Sequence, residues 1–288
     1  MPDLAPLYSF LAAVFPFSCM EARFMQQAMA GLLLLSPLCA AMGVSIVNFR
    51  MAFFSDAISH SAFTGVALGL LLGVSAQASM MGFGVLIGLL IVSVGRRSSL
   101  SKDTVIGVFF SGVIAFGLAV VSRDRQAARD VTRFLYGDIL TTSDAQIWCL
   151  FLLFAVLMAF VALGYNRMLL MGINQSVAQA HRVRVKLYQY LFAGLVSVVV
   201  IFAVWAVGVF LVTALLIVPA ATGRNLARSA GGMFWWAVGV SLISAVTGLI
   251  ISAQPWAETA TGATVVLASC LFFLISLLPG AFSGKTPR

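Results

Sequence analysis

Nine apolar stretches divide this chain into pieces of membrane-crossing length: 26–47, 53–73, 78–95, 104–122, 145–165, 187–206, 208–222, 233–252 and 262–279. About 20 apolar residues in a helix match the roughly 30 Å hydrocarbon core of a bilayer, where each helix satisfies its own backbone hydrogen bonds. The spacing predicts an all-α polytopic membrane protein with eight or nine transmembrane helices in a single permease-type domain over 1–288. With 61% hydrophobic and 9% charged residues, a soluble fold is excluded. The seventh stretch is short and runs into Pro219, a helix breaker, so it is expected to be a half-span or a bent helix.

Residues 1–23 carry Asp3 where a signal peptide would be basic, and prolines at positions 2, 6 and 16. A cleaved signal is not expected, and the short apolar run suits an interfacial segment. The net charge of +8 would suggest nucleic acid in a soluble protein, but here it follows membrane orientation. With the C-terminus inside and the N-terminus outside, twelve Lys and Arg fall inside and five outside, while seven of the nine acidic residues fall outside. The loop 123–144, with four arginines, fits this assignment least well. No nucleic-acid partner is implied; the partner is a lipid bilayer.

Two inside loops differ from simple connectors. Residues 166–186 are long and basic, with Val177, Ala180 and Val183 at helical spacing behind Asn174 as N-cap, which predicts a short helix on the inner face. Residues 219–232 carry Arg224 and Arg228 four apart, readable as a headgroup anchor or a docking element. Cys19, Cys39, Cys149 and Cys270 lack ligand spacing and are expected as small apolar filler.

The chemistry is concentrated in DAISHSAFTGVALGLLLG, 56–73. As a helix it places Asp56, His60 and Thr64 on one stripe, and Ala57, Ser61, Gly65, Gly69 and Gly73 on the neighbouring one. The small stripe lets another helix approach closely. A carboxylate in an apolar segment costs several kcal/mol unless paired, hydrated or bound to a cation. Asp56 and His60 can reach one metal ion, but the pair by itself leaves other readings open. Asp56 could be an N-cap or pair with Arg50, and His60 could be a neutral core imidazole. His181 is expected to be solvated. Glu258, at the outer start of the last span, is a solvated boundary residue or a cation-attracting group at an outer mouth.

No enzyme constellation is present: there is no GxSxG, no HExxH and no phosphate loop. Gly284-Lys285-Thr286 imitates the end of a nucleotide-binding loop, but Pro279 stands at its first glycine position. The chain is not expected to hydrolyse ATP or to hold a permanent cofactor.

Four blocks resemble the membrane subunits of bacterial ABC importers for zinc, manganese or iron(II): NFRMAFFSDAISHSAFTGVALG (48–69), FLYGDIL (134–140), VGVFLVTALLIVPAATGRNLAR (207–228) and ETATGATVVL (258–267). They occur in the family's order across nearly the whole chain. The resemblance implies a helical bundle like the permeases of vitamin B12 and iron importers, in the bacterial inner membrane. It implies a paired, homodimeric permease with the path between subunits, two cytoplasmic ABC ATPase subunits, and a periplasmic or extracellular metal-binding protein. It assigns Asp56 and His60 as ligands along the path of a divalent metal that is substrate rather than cofactor, Glu258 as the carboxylate before the last span, and 166–186 as the cytoplasmic coupling loop. Ser55 stands where glycine is usual in the family, Thr64 where proline is common, and Glu258 where aspartate is common. The competing reading is a gradient-driven secondary carrier for a cation, which would need internal repeats and several intramembrane carboxylates. Asp and His suit Mn(II), Fe(II) and Zn(II) alike, so the metal's identity is not readable here.

Overall fold

Apolar runs in a bilayer close their backbone hydrogen bonds within themselves, and the computed structural model of the chain is accordingly helical. It describes residues 4–122 and 139–282, with no strand among them. The α-helices are α1 (Ala5–Val14), α2 (Arg23–Asn48), α3 (Phe54–Leu72), α4 (Ala76–Arg97), α5 (Lys102–Val121), α6 (Asp144–Ile173), α7 (Gln175–Ala180), α8 (Val185–Val207), α9 (Val209–Leu226), α10 (Ala230–Ser252) and α11 (Thr261–Phe282). Among the described residues seven are long and apolar enough to cross a membrane: α2, α4, α5, α6, α8, α10 and α11. The chain is a multi-pass membrane protein. α3 has the length, but Asp56, His60 and its serines dilute its apolar character.

Each expected stretch is occupied by a helix, with two differences. α9 runs through Pro219 instead of ending there; the break falls at Gly208 (φ 88°), where α8 stops and α9 starts. α6 extends through 166–173 to reach 30 residues, about 45 Å at 1.5 Å per residue, well beyond the hydrocarbon core. The connector after it is therefore shorter than the predicted loop. It contains α7, whose N-cap is Asn174: its side-chain oxygen accepts from the backbone N–H of Ser176 (2.8 Å) and Val177 (3.2 Å). The loop arginines at 123–133 and most of FLYGDIL lie outside the described residues.

The chain divides into two compact units, and the division falls within α2, α6 and α9. One unit comprises residues 1–44, 138–159 and 214–288. In it α2 contributes a fully buried row including Met29, Leu32, Leu35 and Met42. Gly248 of α10 lies against the backbone of Val265 on α11, so close that a Cβ would come within 2.5 Å. The N-terminal helix α1 is too short to cross a membrane. It buries Tyr8 and Leu11 and is tied to α2 and α6 through Asp144, which accepts from the Tyr8 hydroxyl (2.5 Å), Gln27 Nε2 (2.7 Å) and Arg23 (2.9 Å). Burial and the Asp144 carboxylate push the Tyr8 hydroxyl up to about 12, so it remains a donor across the physiological range.

The other unit comprises residues 45–137 and 160–213, with α3 in its middle. α3 packs on α4, α5 and α8, and twelve of its residues are buried. The small stripe does what its composition predicts. A Cβ on Gly65 would come within 2.7 Å of Met80 Cα, and one on Gly69 within 2.9 Å of Ser79 Cβ, so α4 lies directly on this face. Gly73 is the exception. It meets nothing, and instead ends the helix in the left-handed conformation (φ 67°), with the Val74 N–H returning to Gly69 O.

Candidate metal centre

The turn before α3 sets where its chemistry begins. α2 ends in a Schellman motif: Arg50 takes the left-handed position (φ 54°) and donates to Val47 O, while the Met51 N–H returns to Ile46 O. Three residues later α3 starts, with Phe53 as an N-cap that offers no side-chain acceptor. Asp56 is thus not the N-cap. It stands in the first turn, where unpaired N–H groups and the helix dipole favour a negative charge. Nor does it pair with Arg50: the ion pair among the described residues joins Arg23 to Asp144. The side chain of Thr213, on α9, lies beside the Asp56 carboxylate.

His60 follows one turn later on the same face. Its ring meets Phe110 of α5 edge-to-face, with centroids 5.1 Å apart and planes at 89°, which limits how the imidazole can turn. Asp56 and His60 are both half-buried, whereas the residues on either side of them along α3 are fully buried. Thr64, on the same stripe, has a different job. It is buried and donates to Val113 O (2.9 Å), bonding α3 to α5 where Gly117 leaves room for it.

The structure therefore brings Asp56 and His60 together and adds Thr213. Glu258 belongs to the other unit, exposed on the turn before α11 with φ 40°. That left-handed backbone costs a residue with a Cβ about 1 kcal/mol. His181 is exposed at the end of α7. Among the described residues no three His, Cys, Asp or Glu side chains gather at one point. One carboxylate and one imidazole form an oxygen–nitrogen donor pair suited to Mn(II), Fe(II) or Zn(II). The pair is short of the four ligands that close a structural zinc site. Thr213 and Phe110 escaped the sequence reading because each comes from a separate apolar run in which nothing marks it.

The pattern of the ABC 3 transport family matches residues 21–280. The manganese import system permease protein ScaB of Streptococcus parasanguinis is 32% identical over 256 residues, covering 89% of this chain and 90% of that protein. The high-affinity zinc uptake system membrane protein ZnuB of Haemophilus influenzae is 29% identical, over 85% of this chain and 93% of its own. Among solved structures, a chain of PsaBC from Streptococcus pneumoniae in complex with Fab superposes with a TM-score of 0.76 at 28% identity, covering 94% of this chain and 95% of that one.

Proposed function

The chain belongs to the ABC 3 transport family, and from that membership we propose that it is the permease subunit of an ATP-driven importer. Its cargo is a divalent transition-metal ion, Mn(II), Zn(II) or Fe(II), carried across the bacterial inner membrane. The names of the manganese and zinc relatives support the cargo class. The membrane chain supplies the path, and ATP hydrolysis falls to separate chains. A pair of these permeases, two cytoplasmic ATPase subunits and an external metal-binding protein make up the working assembly. The N-terminus lies outside and the C-terminus inside, which puts α7 in the cytoplasm as the element that meets an ATPase.

The observation that carries this reading is the Asp56–His60 pair, one turn apart on a half-buried face of a helix that is otherwise buried. A fully buried carboxylate would be too costly, and a fully exposed one would not select a cation. At half burial, with Thr213 beside the carboxylate and Phe110 against the imidazole, the pair can take a metal ion and release it again. Glu258, exposed at the outer end of the last span, serves as an accessory cation-attracting group. Metal uptake by the reconstituted assembly, normalised to assembled protein, tests the pair. Asp56→Asn and His60→Ala should assemble normally and lose transport, and Asp56→Asn should be at least as stable because a partly buried charge has gone. Near-wild-type uptake per assembled complex in both variants would remove these residues from the path.

A further inference from the structure

Where α4, α5, α7 and α8 converge, a cavity of about 230 Å³ has a lining charged with one sign only. Its polar lining comes from four helices: Arg96 lies in the last turn of α4, Lys102 begins α5, Gln175 and Gln179 lie one turn apart on α7, and Gln189 is on α8. The remaining wall is apolar, formed around Phe49 and Phe192. No carboxylate lines it; Asp103 lines a neighbouring cavity that shares Lys102. Arg96 donates to Gln189 Oε1. Lys102 is half-buried, donates to Phe49 O (3.1 Å), and stands over the Phe49 ring at 5.6 Å. It also occupies the first turn of a 20-residue helix, where the helix dipole is itself positive and a cation is disfavoured. Asp103 beside it offsets only part of that charge.

Two cations and no carboxylate would repel a divalent metal, so this cavity is no part of a metal path. An anion is favoured, and two cations with three amides match the oxygens of a phosphate group. The apolar wall asks for more than the free ion. On α4, Leu90 and Val94, neighbours of the lining residues Ile91 and Gly95, are 39% and 40% exposed and continue the apolar surface away from the rim. We propose that the cavity binds a phosphate group carried by an anionic inner-leaflet lipid, with the headgroup between Arg96 and Lys102 and the acyl chains along α4. An occupied site also contacts Gln175 and Gln179 and so links the position of α7 to bilayer composition. This rests on the membrane reading, and on the inside placement of these helix ends for the leaflet.

The full-length chain, purified with the subunits that accompany it, is placed in phosphatidylcholine nanodiscs and titrated with phosphatidylglycerol, with native mass spectrometry counting the lipid retained. Removing each basic side chain should weaken retention about fivefold, so Arg96→Gln with Lys102→Gln should lose about 25-fold, while Lys102→Arg keeps it. Arg97→Gln, one residue outside the cavity, should leave retention unchanged, and inorganic phosphate should not displace the lipid. If the double variant fails to assemble, Gln175→Leu with Gln179→Leu should weaken retention several-fold without touching a charge. Unchanged retention in the cavity variants, equal loss in Arg97→Gln, or displacement of the lipid by inorganic phosphate would overturn the proposal. Transport is not measured, so failure here leaves the importer reading intact, and a failed uptake experiment leaves the lipid site standing.

Discussion

At Gly43 a single hydrogen in place of a side chain decides how closely α2 and α9 approach. A Cβ there would collide with the Leu216 carbonyl oxygen, which is backbone and cannot rotate away. Three residues on, Pro219 removes the N–H that would bond the Leu215 carbonyl and loosens this same turn. Gly43→Ala should therefore cost about 1–3 kcal/mol as an overpacked contact. The same change at Gly107 in α5, where a Cβ meets nothing within 4 Å, should be neutral or stabilising by about 0.5–1 kcal/mol, since alanine is the better helix former. Thermal unfolding of the two variants in detergent checks the pair, and equal midpoints would show that the α2–α9 approach is looser than described. The site residues divide in a similar way. Asp56 and His60 were legible because four-residue spacing puts them on one helix face whatever surrounds it. Thr64 occupies that spacing too, and only the position of α5 turns it into a packing hydroxyl.

Helix ends show how far local sequence reaches. Gly73, Arg50 and Arg182 all take the left-handed position after a helix, and each motif is closed by a return hydrogen bond, from Val74 to Gly69, Met51 to Ile46 and Val183 to Ala178. A glycine advertises that conformation; an arginine does not, and adopts it only because the elements on either side require the turn. Asn174 was readable as the cap of α7, since a short polar side chain before a helical run has few other uses. The length of α6 was not readable, because Asn166 and Arg167 look like the start of a loop. Arg167 instead donates to the phenol oxygen of Tyr188 and lies 5.6 Å over its ring, keeping that stretch against α8. If α7 is the element that meets an ATPase, Ala180→Glu should leave membrane insertion unchanged and abolish metal-stimulated ATP hydrolysis. Retained coupled turnover would move the contact to 219–232.

For the whole molecule, orientation is the property that function depends on most. Trp256, on the turn before α11, and Val177, on α7, are both exposed, at 76% and 43%, so a cysteine at either can react from its own side of the membrane. In a background lacking the four native cysteines, an impermeant thiol reagent added outside should label position 256 and leave 177 unlabelled until the membrane is opened. The reverse pattern would invert the orientation and take α7 away from any cytoplasmic partner. The sequence by itself determined that the chain is helical, that it crosses a bilayer many times, that its family motifs run in order, and that α3 carries the ionisable pair. These follow from hydropathy and helical periodicity, which act over short stretches and need no neighbours. Only the tertiary structure decided that α4 covers the small stripe of α3, that α9 continues through Pro219, that Thr213 and Phe110 flank the pair, and that Arg96 and Lys102 face one cavity. Each of these joins stretches far apart in the chain through close packing, and apolar runs of similar composition do not encode their partners locally.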